Sequence, residues 1–196
     1  MNLTEMTARV RENLQDTDSQ NYRWTDAEVE GAIDRVVAEY SLHAPIEQQD
    51  DIATTDGDTE LDISSLTGLL KVESVEFPIA QTLQYPQRFE CWAGHLYMQD
   101  AGDGTDARVR WLKKHTLDAA STTIPAKYEE IIVLGATGYL AMSASAYTVD
   151  RASIAGRHAT INYKAWGKER LDRYDKKLKA IARTSKVIPH ELYTDE

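Results

Sequence analysis

Metal chemistry needs imidazoles, thiolates or carboxylates brought to one side of an element, so the histidines are the first residues to weigh. His43, His95, His115, His158 and His190 are scattered along the chain. No two have the i, i+4 spacing that sets a pair of imidazoles on one helical face, and no metal is expected. The carboxylates of "DAGDGTD" (Asp100 to Asp106) suggest calcium. They miss the D-x-D-x-D-G spacing, however, and lack the glutamate at the twelfth position. A hairpin turn is the expectation for that stretch. Cys91 is the one thiol, which leaves no internal disulfide and fits a reducing compartment. Its alternation with Phe89 predicts a small buried hydrophobe in a strand instead of a nucleophile. "GATG" (Gly135 to Gly138) falls inside a helical pattern and not between a strand and a helix, so it predicts close helix packing in place of phosphate binding. The adjacent carboxylates Glu129 and Glu130, or Asp50 and Asp51, would point about 100° apart on a helix and are expected to be solvated. The four tryptophans and ten tyrosines fall mostly on apolar stripes, where core packing is expected. No nucleophile, base and orienting group come together, so no catalytic residue, cofactor or enzymatic activity is expected.

The elements that would position these residues follow from periodicity. Leu3, Met6, Val10 and Leu14 lie on one stripe of a first helix. A second helix starts at Thr25, where Glu28 three residues on completes a capping box and Trp24 and Val29 flank it as a hydrophobic staple. Val29, Ile33, Val36, Val37 and Tyr40 form its apolar face, and Pro45 ends it. Gly31 is its weak spot. From Gln48 to His115 the period changes to two and turn signals crowd together. Leu61 and Ile63, Phe89 and Cys91, Leu96 and Met98, and Val109 and Trp111 each alternate with polar neighbours. In "LLKVESVEF" the apolar phase slips between Val72 and Val75, which predicts a bulge at Glu73 and Ser74. Helix returns after Pro125 and continues to about Tyr147, thinned by Gly and Ala, and a last helix covers roughly Ala159 to Arg183 with a basic outer face. The expected fold class is α+β. Helices over residues 1–47 and 119–185 form a bundle in one structural domain, a small antiparallel β-sheet is inserted over 48–118, and an arm follows over 186–196.

Bulk properties limit the function classes. A chain of 196 residues buries roughly 70% of its unfolded surface. The longest apolar run, Ile131 to Met142, is far short of the ~20 residues of a membrane span, and the N-terminus lacks both a basic start and an apolar h-region. No membrane partner is expected. Residues 1–66 carry 16 acidic and 4 basic side chains, against 16 and 18 in the remainder, so the first third holds the whole excess of the net charge of −10. Such a field repels nucleic-acid phosphates.

Four stretches in order, "RWTDAEVEGAIDRVVAEYS", "LLKVESVEFPI", "RFECWAGHLYM" and "HTLDAASTTIPAKYEEIIVLGATGYLAM", together resemble the head-to-tail adaptor (connector) proteins of tailed bacteriophages over nearly the whole chain. The resemblance implies a non-enzymatic virion protein, made in the host cytoplasm and located at the neck. It would form a ring, commonly of twelve copies, below the portal. That ring would extend the DNA channel, pass the genome without reading its sequence, and dock the next tail or nozzle component. Partners are then other copies of the chain, the portal and a tail or nozzle protein. Beyond the last helix, Val187, Ile188, Pro189, Leu192 and Tyr193 form an apolar and aromatic segment expected to order against the portal or a neighbouring subunit. Acidity lining the channel would repel DNA and let it slide.

Two rivals stand beside this reading. A DNA-binding or regulatory helical protein is suggested by the short helix, turn and capped helix at the N-terminus. Glu28, Glu30, Asp34 and Glu39 against one Arg35 give that helix the wrong charge for a major groove. A small enzyme is the third reading, with a site assembled from residues far apart in sequence.

Overall fold

Asn2 opens the first helix by a capping box: its side chain accepts from the Glu5 amide while the Glu5 carboxylate takes the Asn2 amide, and α1 runs over Leu3–Leu14. The computed structural model describes residues 1–79, 86–149 and 163–185. The box expected at Thr25 is formed. Its hydroxyl accepts from the Glu28 amide at 3.3 Å, Glu28 Oε2 accepts from the Thr25 amide at 2.8 Å, and α2 spans Asp26–His43. Each such box contributes about 1 kcal/mol. Trp24 and Val29 both sink into the same core, as a staple requires. The α-helix expected directly after Pro125 begins later, because Pro125 first caps a 3-10 turn over Ala126–Tyr128; α3 then covers Glu129–Val149. α4 covers Tyr163–Ser185, and the start expected at Ala159 lies outside the described residues.

The chain divides into two compact units, one of residues 1–44 with the chain from His115 onward, the other Pro45–Lys114. In the helical unit α3 lies against α1, α2 and α4. A helix with neighbours on every side must be apolar all round, and residues 131–133, 135–138 and 140–141 of α3 are all buried. Glycine lets α4 come close. A Cβ on Gly138 would stand 2.9 Å from Leu171, and one on Gly167 would stand 3.0 Å from the Ala141 side chain and 3.1 Å from the Gly138 carbonyl. The helix-packing role expected for "GATG" is the one these glycines have. Tyr174, Leu178 and Ile181 close the core from α4, with Tyr163 and Trp166 half-buried against it.

His115 marks the point where the chain re-enters this unit. Its backbone N–H donates to Ser41 Oγ (2.9 Å), its Nε2 lies 2.9 Å from the Ala44 carbonyl, and its Nδ1 lies 3.1 Å from Thr123. The residue where the chain leaves the unit, Ala44, and the one where it returns are thereby bonded to each other. Tyr40 stacks beside the imidazole at 5.0 Å, and burial pushes its phenol up to about 12.

The inserted unit holds two antiparallel sheets where one was expected. β1 (Ile46–Ala53), β3 (Leu69–Glu76), β4 (Pro86–Gln87) and β7 (Asp106–Lys113) form a sheet in the order β1-β7-β3-β4. β2 (Glu60–Asp62), β5 (Phe89–Trp92) and β6 (His95–Met98) form another in the order β2-β6-β5. Their inward rows, with Leu61, Leu96 and Met98 from one sheet and Val72, Val75, Val109 and Trp111 from the other, share one apolar core. The expected bulge is present, with the β3–β7 register shifting between Val72 and Ser74 and again between Leu69 and Lys71.

Two expectations in this unit are overturned. The stretch after Asp100 is no hairpin turn, because β6 and β7 belong to different sheets. It crosses between them by pairing with the β1–β2 connection instead: the Gly57 N–H donates to the Gly102 carbonyl and the Gly102 N–H to the Asp58 carbonyl, at 2.9 and 2.7 Å. Only glycine fits there, since a Cβ on Gly102 would stand 2.5 Å from the Thr55 carbonyl oxygen. Cys91 is exposed instead of buried. Its register does point it inward, opposite Leu96, but β5 is the end strand of its sheet among the described residues, and the thiol stays exposed at that edge.

Candidate functional site

Among the described residues, those weighed for chemistry do not converge. His43 stands exposed at the end of α2 with its Nδ1 3.1 Å from the Glu39 carbonyl, His95 pairs with Glu60 across β6 and β2, and His115 is a satisfied core histidine. His158 and His190 lie outside the described residues, as do Val187, Ile188, Pro189, Leu192 and Tyr193. Among the described residues no group of three or more His, Cys, Asp or Glu side chains is placed to hold a metal. Nor is any helix among them long and apolar enough to cross a membrane. Asp50 and Asp51 are exposed as expected, but Glu129 is not. Its carboxylate is mostly covered and takes the amino group of Met1, because the first residue packs back on the start of α3.

What the helical unit presents outward is a pair of oppositely charged helix faces. On α2, Asp26, Glu28, Glu30, Asp34 and Glu39 stand against Arg35 alone. Between these acids Ala27, Gly31, Ala38 and Leu42 are exposed at helical spacing, Leu42 at 69%. Gly31, which weakens the helix by about 1 kcal/mol relative to alanine, meets nothing within 4 Å and faces solvent in this row. On α4, eight Lys and Arg residues stand against three Asp and Glu, net +5. Lys164, Lys168, Lys176, Lys179 and Arg183 follow one another along its exposed side, with Asp172 among them.

Aromatic rings and ion pairs fix these faces from below. Arg35 donates to Glu39 (3.1 Å) and lies 3.8 Å over the Tyr139 ring, and the Tyr139 hydroxyl donates to both Glu39 oxygens at 2.8 and 2.9 Å. Burial, then the Glu39 carboxylate, pushes the Tyr139 phenol up. The Arg170 guanidinium covers Trp166 at 4.3 Å, and desolvation there lowers its pKa. Arg23 lies 4.3 Å over Tyr163 and donates to its hydroxyl, joining the loop before α2 to the start of α4. Beneath that loop a buried Arg11 donates to Asp16 (2.7 Å), to the Trp24 carbonyl (3.1 Å) and to Asp26 (2.6 Å).

The inserted unit presents a different surface. β5 and β6 are joined by Ala93 and Gly94, both with positive φ, a turn matched to the twist of a two-residue hairpin. It carries Trp92, 77% exposed, at its tip. The outer row of that sheet combines Trp92 and Tyr97 with Glu60, Asp62 and Glu90. On the outer face of the four-stranded sheet, Asp51 receives Arg108 through two N–H donors and Arg110 donates to buried Glu76, a lattice set by the cross-strand register.

The sequence signalled the acidity of α2 and the basic side of α4. The small residues among those acids gave no signal, because Ala and Gly are equally at home in a buried seam. The Trp92 tip was concealed by an alternation that also fits a core strand. No protein-family model matches the chain, and no curated protein matches it.

Proposed function

We propose that this chain is a structural assembly subunit, the head-to-tail adaptor of a tailed-bacteriophage virion. Copies close into a ring, commonly of twelve, below the portal at the neck. The ring extends the DNA channel and docks a tail or nozzle protein, and the subunits are made in the host cytoplasm. The observation that carries this reading is the charge opposition of α2 and α4 on the outside of one helical unit. A cyclic ring joins two different faces of each subunit head to tail, so a self-complementary pair of faces on one chain is what closure requires. Helices of 18 and 23 residues offer seams of about 27 and 35 Å at 1.5 Å per residue. The exposed Ala27, Gly31 and Ala38 would let a neighbouring helix approach closely. The order of sequence elements that resembles connector proteins supplies the rest.

The test is a charge swap. Lys168→Glu with Lys176→Glu is expected to abolish assembly, and adding Glu30→Lys with Asp34→Lys is expected to restore it, read by analytical ultracentrifugation at low salt. Failure of the swap to restore assembly would refute the α2–α4 contact. The cations of α4 also favour a second reading, nucleic-acid binding, in which retention on a DNA column falls steeply with salt. On the adaptor reading, DNA passes through without sequence-specific contact and retention is weak at physiological salt.

A further inference from the structure

Among the described residues of the inserted unit, β1 is the end strand of its sheet and pairs with β7 alone, while β2 is an end strand of the other sheet. Beside β1 lie two adjoining open grooves that share Ile52 and Ala53. The larger, about 550 Å³, is walled by Gln48, Asp50, Leu66, Trp111 and Lys113; the smaller, about 310 Å³, by Thr55, Asp58, Glu60, Asp62 and His95. An eight-residue end strand spans about 26 Å at ~3.3 Å per residue and carries a row of backbone donors and acceptors that another strand can pair with.

The charges around this edge decide which strand that is. Asp50 is held by the Trp111 indole N–H (2.7 Å), Asp58 by the Glu60 amide (3.0 Å) and Asp62 by the Ser64 amide (2.8 Å), all neutral donors that fix each carboxylate and leave its charge in place. Asp51 is matched within the unit by Arg108, and Glu60 lies 2.8 Å from His95 Nδ1. A second copy of β1 laid parallel on the first would set Glu47, Asp50 and Asp51 against their own kind, and laid antiparallel at full overlap it would set Asp50 diagonal to Glu47 and Asp51 of the other copy, so like charges crowd the ladder either way. The chain's own last residues, with Lys186 against Glu191, Asp195 and Glu196, are also acidic. Lys113 offsets only part of this, since the same walls carry Asp50, Asp51, Asp58, Glu60 and Asp62, so the edge disfavours strands of its own chemistry and favours a cationic one.

We propose that β1 accepts, by strand addition, an extended lysine- or arginine-bearing segment of a different protein. Its backbone would continue the sheet beyond β1 and its cations would meet Asp50, Asp58 and Asp62. This is the strand-addition mode of peptide recognition, in which backbone pairing supplies affinity and alternate side chains supply selectivity. The inference does not rest on ring formation and stands or falls separately from it.

The test uses the full chain, ¹⁵N-labelled, and a capped octapeptide of alternating lysine and valine. Binding is expected to shift the β1 amides and slow their hydrogen exchange. The glutamate–valine octapeptide is expected not to bind. Asp50→Asn/Asp58→Asn/Asp62→Asn, all on exposed side chains, is expected to keep the native spectrum and weaken binding about tenfold, a modest contribution from each of three exposed ion pairs. A lysine–valine peptide N-methylated at every residue, which keeps its charge but has no N–H left on either edge to pair as a strand, is expected to lose binding. The proposal is overturned if the parent peptide leaves β1 unshifted, if the N-methylated peptide binds as well as the parent, or if the triple variant binds undiminished.

Discussion

Arg11 is a charged side chain with 5% exposure in the middle of an apolar stripe, and its three acceptors all come from the chain beyond α1. Removing it strands Asp16, whose carboxylate is 6% exposed and also takes the Arg23 amide. Arg11→Ala is expected to cost about 3 kcal/mol in urea denaturation, the usual consequence of leaving a buried ion unpaired. Asp26→Ala, at the solvent end of the same cluster with 71% exposure, is expected to cost less than about 1 kcal/mol. Asp118 supplies a pH signature. The Ala120 and Ser121 amides and the Ser121 hydroxyl hold its pKa below the ordinary aspartate value. A lowered folded pKa favours folding when the group is ionised, so its contribution is complete above about pH 4 and fades as pH falls through the folded value. Asp118→Asn is therefore expected to flatten the acid limb of the stability curve, read as the urea midpoint followed from about pH 7 to well below the ordinary aspartate pKa of about 4. Neither Arg11 nor Asp118 stood out in the sequence, because each acts through partners in a loop whose path no periodicity encodes. Cys91 misled in the opposite way: its spacing correctly gave the face it occupies, but not that its strand lies at the end of a sheet.

At the scale of elements, legibility followed how local the determining interaction is. The Thr25 capping box, the Trp24–Val29 staple and the apolar stripes of α1 and α2 depend on residues within a few positions of each other, and they stand where the pattern placed them. β1 gave no alternation because most of its side chains are exposed on both faces, as an end strand permits. The crossing at Gly102 depends on backbone contacts with residues more than forty positions away. The α3–α4 seam lies between these cases, since the glycines were visible but their partner was not. Gly138→Val should push Leu171 away and destabilise the helical unit by about 1–3 kcal/mol, as overpacking does. Leu171→Ala in the same chain is expected to recover part of that loss. Independent, additive losses in a double-mutant cycle would show that the two helices do not meet there.

At the scale of the molecule, a helical unit bears two oppositely charged faces and a β unit bears an acidic open edge, the features that the two proposals assign to contact with other chains. Because the proposed α2–α4 contact between copies would be carried by exposed charges, assembly is expected to weaken as ionic strength rises past the point where the Debye length falls to about 8 Å. Aggregation driven by apolar surface would strengthen instead. Ring closure is tested most directly by native mass spectrometry of the full chain, alone and with a portal ring, at low and at high salt. A single closed stoichiometry, near twelve copies, is expected at low salt or on the portal, lost on adding salt and lost in Lys168→Glu/Lys176→Glu. Monomers under every condition, portal included, would contradict it.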